Sequence, residues 1–398
     1  MVELTREEML RIDMLLHENS GKKTEKINLF LGEEICVEGE PGANVNMVVV
    51  GAPDYDKISF HMLSTILAEE ECSLIIDDKQ GDLYEETAAF LKMKGYSVFK
   101  MDFCNFKGNM SYNIFDNASS KEDVMRIADA LISSQGDKGD RAWEMSAKEL
   151  FCMLVQAGRV EYGKHFDLER FIEVFDLCSN YPAESAEEND DFEELMDSHL
   201  WQGLLYDAQE DYIKLKTSSD KSWPCILKFL REKLQKYRLG ELYGITRETT
   251  VPFPSCGVAK TAIFVVGSDA DSSVRPITQL FYRDMAESLI KYADERWEGL
   301  LPIHVRFLID GCSGGVQQIG LANVIADNYS QNISCMLSFQ SMSQFSALGG
   351  EYYKVFYGVT DDKDTVCLIH PGQPPCYTKP VQIVDMPEYT VLQAIRER

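Results

Sequence analysis

The sequence predicts an α/β protein with a mostly parallel sheet, helices on both faces of the sheet, and an inserted all-α domain. Short apolar runs rich in Val, Ile and Phe alternate with amphipathic stretches along most of the chain. These runs lack polar alternation, which is typical of strands buried on both faces of a parallel sheet. A long segment near the middle of the chain shows helical patterns only.

The predicted elements follow one another in a regular order. Strands are predicted at 47–50, 73–76, 96–101, 262–266, 305–309 and 334–339. Helices are predicted between them at 58–70, 82–94, 121–134 and 276–295. A turn rich in Gly and Asp at 136–140 precedes the segment without convincing strands. The predicted domains are an α/β domain formed by residues 1–140 and 243–398, and an all-α insertion at 141–242.

The first of these strands leads into a sequence that partly matches a phosphate-binding loop. Such a loop reads G-x-x-x-x-G-K-[ST] between a strand and a helix. Gly51 and Lys57 have this spacing. Asp56 stands where the second glycine belongs, Ile58 replaces the hydroxyl residue that contacts Mg²⁺, and Ser59 follows it. A carboxylate here repels the β-phosphate, so the motif alone leaves two interpretations: a vestigial nucleotide site, or a chance spacing of glycine and lysine.

Further segments occur in a fixed order along the chain. Residues 78–82 read Asp-Lys-Gln-Gly-Asp, 94–98 read Lys-Gly-Tyr-Ser-Val, and 111–115 read Ser-Tyr-Asn-Ile-Phe. Later strands lead into Asp310 and into Gln340. Together, over about residues 44–370, these segments resemble the TraG/TraD-type coupling proteins of conjugative type IV secretion systems. The resemblance implies a RecA-like P-loop NTPase fold with an all-α insertion, in which Asp310 is the Walker B aspartate.

The departures from the family pattern fall on catalytic positions. Gly311 follows Asp310, where the family has a glutamate that orients the attacking water. The turn at 328–332 lacks the arginine that the family is thought to present to a neighbouring subunit's nucleotide. We therefore predict no catalytic residues and a vestigial nucleotide site, whose members are Gly51, Asp56, Lys57, Ile58, Ser59, Asp310 and Gln340. ATP and Mg²⁺ are expected as cofactors only if the chain is a divergent active ATPase.

Charge bears on the partners of the chain. The formal net charge is −26, and no cluster of Lys and Arg stands out, so direct binding of nucleic acid is not expected. An acidic run at 184–194 contains Glu187, Glu188, Asp190 and Asp191. This run is either a solvated surface or a binding site for a basic protein, such as a relaxase or another secretion component.

Other features of the sequence bear on location. No apolar segment reaches the ~18–20 residues that span a bilayer. The eleven cysteines are scattered without a C-x-x-C spacing, which indicates reduced thiols and predicts no metal site. We predict a cytoplasmic monomer or small oligomer.

The favoured function is a pseudo-ATPase that acts as an adaptor in conjugative DNA transfer. The alternatives are an active ATPase that drives DNA or protein transfer, and a mobile-element relic without a selected role.

Overall fold

The structure is a computed structural model of the chain. It describes residues 12, 14–15, 23–32, 35–51, 57–133, 141–179, 223–267, 273–310, 316–341, 343, 348–359, 365–380 and 383–396. Contacts divide the chain into two compact units. The sheet unit comprises Leu4–Asn109, Val251–Ala270 and Tyr282–Arg398, and the helical unit comprises Met1–Glu3, Met110–Thr250 and Asp271–Phe281.

Nine of the strands in the described residues form one sheet. The strands are β1 (Ile27–Gly32), β2 (Ile35–Gly39), β3 (Met47–Val50), β4 (Ser73–Asp78), β5 (Ser97–Asp102), β6 (Thr261–Val266), β7 (Val305–Ile309), β8 (Ile333–Phe339), β9 (Tyr353–Tyr357), β10 (Val366–Ile369) and β11 (Cys376–Thr378). The sheet has the order β11-β10-β9-β3-β8-β7-β4-β6-β5. Strands β9 to β5 pair in parallel, whereas β10 and β11 are antiparallel, and β1 and β2 form a separate hairpin. The predicted mostly parallel sheet is confirmed.

Helices connect these strands and build the helical unit. They are α1 (Lys57–Ala68), α2 (Asp82–Met93), α3 (Lys121–Ile132), α4 (Arg141–Tyr162), α5 (Leu168–Ser179), α6 (Trp223–Leu234), α7 (Gly240–Ile245), α8 (Val274–Arg296), α9 (Val316–Asp327) and α10 (Pro387–Arg396). Every residue of β3, β4, β6, β7 and β8 is buried, because these strands lie inside the sheet and are covered on both faces. Their mostly apolar sequences are therefore what the fold requires.

The helical unit has its own packing. Side chains of Phe115, Phe151, Phe166 and Phe171 form an aromatic cluster, with ring centroids 4.3 Å apart for Phe151 and Phe171. Helix α3 begins with a capping box, in which the Ser120 hydroxyl accepts the Asp123 N–H at 3.1 Å. Helix α3 packs on α4 and α6 and therefore belongs to the helical unit. The main segment of this unit begins at Met110, before the predicted insertion at 141–242. The predicted limits of an independently folding domain stay a prediction.

Candidate functional site

Three of the residues predicted for the nucleotide site lie at the carboxyl edge of the sheet. Strand β8 pairs in parallel with β3 on one side and with β7 on the other. Gly51, Gln340 and Asp310 follow these three strands directly. The Gly51 N–H donates to the Phe339 carbonyl oxygen at 3.0 Å, which continues the β3–β8 pairing past the strand end. Ligands of open α/β sheets bind outside the carboxyl ends of the strands, so this edge is the candidate site.

Asp310 is held by protein groups on both carboxylate oxygens. The Ser338 hydroxyl, on β8, donates to Asp310 Oδ1 at 2.7 Å. Lys79 follows β4, the neighbour of β7, and its Nζ lies 4.0 Å from Asp310 Oδ2. About a quarter of each side chain in this ion pair is exposed, 28% for Lys79 and 27% for Asp310. The carboxylate therefore faces a cation that the chain itself supplies.

Gly51 lies against an aromatic side chain. A Cβ atom at Gly51 would lie 3.2 Å from the Cβ of Tyr357, at the end of β9. The Tyr357 hydroxyl lies 3.3 Å from Nδ1 of His61 on α1, and the two rings meet edge to face. Burial raises the pKa of Tyr357 above its ordinary value, so the phenol stays neutral. A side chain at position 51 would thus have to displace Tyr357 slightly, and this packing favours glycine independently of any phosphate.

The acids at neighbouring strand ends have structural partners. Asp78, at the end of β4, accepts N–H bonds from Gly81 at 2.9 Å and Tyr84 at 2.8 Å, and so closes the turn into α2. Gly81 has a φ of 88°, a left-handed conformation that favours glycine. Asp102 ends β5 and pairs with Lys100 at 2.9 Å. Burial tends to raise the pKa of Asp102, but backbone N–H donors and Lys100 outweigh it, and the pKa is lowered.

The structure places the remaining predicted residues as follows. Lys57, Ile58 and Ser59 form the first turn of α1, which follows β3 after the loop, as the phosphate-loop pattern predicts. Asp56 lies outside the described residues, and so does the acidic run with Glu187, Glu188, Asp190 and Asp191. Sequence reasoning missed Ser338 as a partner of Asp310, and it included Lys79 only as a member of the segment 78–82. Their contacts depend on the order of β8, β7 and β4, which no local pattern reveals.

A basic stretch in the helical unit was also missed. It begins on α6 and contains Lys228, Arg231, Lys233, Lys236 and Arg238, with Glu232 as its single acid. Arg238 Nη1 pairs with Asp176 Oδ2 at 2.7 Å, whereas Lys228 lies 3.9 Å from Glu232 with 77% of its side chain exposed. The statement that no cluster of Lys and Arg stands out was therefore wrong. The net charge of −26 is a sum over the whole chain, so it does not reveal this local excess of positive charge.

Within the described residues, no group of three or more His, Cys, Asp or Glu side chains could hold a metal ion. In the same part of the chain, no helix combines the length and the apolar character needed to cross a bilayer.

A family model describes the chain from residue 4 to residue 358. Its description is type IV secretory system conjugative DNA transfer. The chain belongs to this family. The resemblance to coupling proteins is thereby confirmed.

Solved structures agree on the fold. The conjugative coupling protein TrwBdeltaN70, in a trigonal form with sulphate, has a TM-score of 0.57 and 13% identity, with 84% of this chain and 85% of that chain covered. TrwB with ADP and Mg²⁺ has a TM-score of 0.56 and 12% identity, with 84% of each chain covered. VirB4 of Thermoanaerobacter pseudethanolicus has a TM-score of 0.53 and 12% identity, with 92% of this chain and 98% of that chain covered. At such identities the likeness shows the fold alone, which is the RecA-like P-loop NTPase fold. A comparison with curated protein sequences finds no match.

Proposed function

We propose that this chain is a coupling-protein-like component of conjugative DNA transfer that binds its partners without turning over ATP. The observation that carries this proposal is that Asp310 is already engaged by other side chains of the chain. Both of its carboxylate oxygens have protein partners, Ser338 and Lys79. The next residue is Gly311, which cannot orient an attacking water.

The residues present do not fit a Mg²⁺–nucleotide complex of the usual P-loop kind. Such a loop needs a glycine before its lysine and a hydroxyl after it. Asp56 and Ile58 occupy these positions. Asp310, the remaining acid for the metal, has a lysine ammonium 4.0 Å away. We therefore assign no catalytic step to this edge of the sheet.

The decisive experiment is a phosphate-release assay with ATP and Mg²⁺. We expect release equal to buffer, because losing one charge-stabilising group typically costs ~10²–10³ in rate and several are lost here. Turnover of about one per second, abolished by Lys57→Ala, would overturn the proposal. In the double variant Asp56→Gly with Ile58→Thr, nucleotide binding should appear if the defect lies in the loop alone.

The second candidate is a divergent ATPase that moves DNA or protein substrates. Gly51, Asp310 and Gln340 meet at neighbouring strand ends, and Lys57 begins α1. A working P-loop ATPase would use the same positions, and this is the observation in favour of the second candidate. The same assay separates the two candidates.

A basic protein, such as a relaxase or another secretion component, is the proposed partner of the acidic run. The basic stretch on α6 is the competing surface, since it would attract an acidic partner or nucleic acid. Pull-downs from conjugation-competent cells should compare two variants. One neutralises Glu187, Glu188, Asp190 and Asp191, and the other replaces Lys228, Arg231 and Lys233 by Gln. If the captured protein is lost in the first variant but not in the second, the acidic run is the binding site. If it is lost in the second variant but not in the first, the acidic run is not the binding site.

We also propose a monomer or small oligomer that does not respond to ATP. Tyr329 and Gln331, in the turn before β8, cannot supply the positive charge that a shared nucleotide site would need. Light scattering with and without ATP tests this point, and a hexamer that forms on adding nucleotide would contradict it. A cytoplasmic location stays a prediction.

A further inference from the structure

Lys79 and Asp310 meet because of strand order. Strands β4 and β7 are parallel neighbours, with Ile76 opposite Leu308, so the residues after them converge at one edge. Lys79 Nζ lies 4.0 Å from Asp310 Oδ2, and the Ser338 hydroxyl takes Oδ1 at 2.7 Å. A serine donor and a lysine cation thus surround the carboxylate where a metal would otherwise bind.

A divalent metal at this carboxylate would meet two obstacles. Mg²⁺ requires oxygen ligands at about 2.0–2.1 Å in near-octahedral geometry and keeps several waters. An ammonium within ion-pair distance of the same carboxylate lies close to this position and repels a second cation. The Asp78 oxygens already accept the N–H groups that begin α2, so Asp78 has a structural role at this edge.

We propose that Lys79 is a resident cation that takes the place of a divalent metal at Asp310. A phosphate-bearing ligand at this edge would then meet a fixed ammonium and would bind without Mg²⁺. Lys79 is a specificity-determining residue in this view, since it decides whether the site is metal-dependent. The inference rests on the proposed function, because a site that turns over Mg²⁺–ATP would need Asp310 for the metal.

The test uses Mn²⁺ alone with the full chain, in five variants beside the wild type, one of which is Asp310→Asn. Lys79→Met removes the ammonium, and Lys79→Glu places a second carboxylate beside Asp310. Lys79→Glu with Asp310→Asn removes the proposed ligand, and Lys92→Met is the matched control, an exposed lysine on α2. Bound Mn²⁺ is counted by electron paramagnetic resonance, and the thermal unfolding midpoint is measured with and without the metal.

We expect Lys79→Glu to bind one Mn²⁺ at least about tenfold more tightly than the wild type, because two carboxylates replace an ion pair. The midpoint of this variant should rise with Mn²⁺, and Lys79→Met should show a smaller gain. Wild type, Lys92→Met and the double variant should show neither effect. Saturable Mn²⁺ binding to the wild type that is lost in Asp310→Asn would overturn the inference. So would the absence of any gain in both Lys79 variants, provided that their circular dichroism matches the wild type.

The phosphate-release assay separates this failure from that of the proposed function. Hydrolysis by the wild type that proceeds equally in EDTA would refute the proposed function and leave the resident cation in place. Hydrolysis that requires Mg²⁺ would refute both. Absence of hydrolysis together with Mn²⁺ bound at Asp310 of the wild type would refute the resident cation alone.

Discussion

Replacement of Arg306 by Met should be among the most destabilising single changes in the sheet unit. Arg306 lies on β7 with 2% of its side chain exposed, and its Nη1 is 3.1 Å from Oε2 of Glu69, which is 5% exposed. The Arg306 Nη2 donates to the Asn28 carbonyl oxygen at 3.0 Å. Glu69 Oε1 accepts three consecutive backbone N–H groups, from residues 70 to 72. The pair is therefore buried on both sides and bonded to the backbone.

The expected magnitude follows from this burial. Removing one partner of a buried ion pair leaves an uncompensated charge and costs about 3–5 kcal/mol. Arg283→Met is the matched control, because Arg283 pairs with Glu287 at 2.8 Å while 43% and 35% of the two side chains are exposed. An exposed helical pair of this kind contributes about 0.5 kcal/mol or less. Guanidinium unfolding followed by circular dichroism gives both free energies of unfolding.

Acidification provides a second, independent readout. Burial tends to raise the pKa of Glu69, but Arg306 and the backbone N–H donors outweigh it, so the pKa is lowered. Stability from the ionised Glu69 is present above its unfolded pKa of about 4.3 and is lost as the pH falls through the folded pKa. Without Arg306 the carboxylate takes up its proton at higher pH. The difference in unfolding free energy between wild type and Arg306→Met should therefore shrink on acidification. A cost no larger than that of Arg283→Met, or a difference that grows as the pH falls, would refute this reasoning.

Three further outcomes are expected in the same unfolding assay. Burial and Arg306 lower the pKa of His304 to about 3. The wild type should therefore lose stability as the pH falls from about 6.5 towards 3. His304→Gln should flatten this pH dependence. Gly108→Ala should cost about 1–3 kcal/mol by overpacking, because its Cβ would lie 2.1 Å from the Lys100 carbonyl oxygen. Tyr237→Phe should cost about 1 kcal/mol, because its buried hydroxyl donates to the Leu131 carbonyl oxygen at 3.2 Å. An unchanged pH dependence in His304→Gln, or an unchanged unfolding free energy in Gly108→Ala or Tyr237→Phe, would contradict the contact assigned to that residue.

Strands β3 to β8 could be predicted from the sequence, including the edge strand β5, whereas β9, β10 and β11 at the opposite side of the sheet could not. The bounds of β3 and β7 were predicted correctly, because β3 is apolar throughout, Arg306 is the one polar residue of β7, and polar residues or turns follow both strands. Strand β9 contains Lys354 between Tyr353 and Val355, and β11 has three residues, so neither shows a continuous apolar run. The hairpin β1–β2 and helix α10 were also missed. The outermost strand β11 has no neighbour on one side, and its sequence is therefore less constrained.

Part of the candidate site could be predicted in the same way. Gly51, Asp310 and Gln340 were found because each follows a recognisable strand. Lys79 and Ser338 required the tertiary order of three strands, in which residues 28 and 231 positions from Asp310 become its partners. Sequence spacing carries no information on such contacts. The residues of the candidate site could therefore be predicted from the sequence, whereas the partners of Asp310 could not.

The ion pair at the amino ends of the strands is buried, whereas the ion pair at their carboxyl ends is partly exposed. At the amino edge, Lys94 Nζ donates to the carbonyl oxygens of Leu67 at 2.9 Å and Glu69 at 2.6 Å, and the Arg306–Glu69 pair lies almost wholly inside. At the carboxyl edge, the Lys79–Asp310 pair is longer and about a quarter exposed, so solvent screens it. Substitutions of Lys79 should therefore leave the unfolding free energy close to that of the wild type. A change in metal or nucleotide binding in these variants then reports on the site itself and not on loss of the fold.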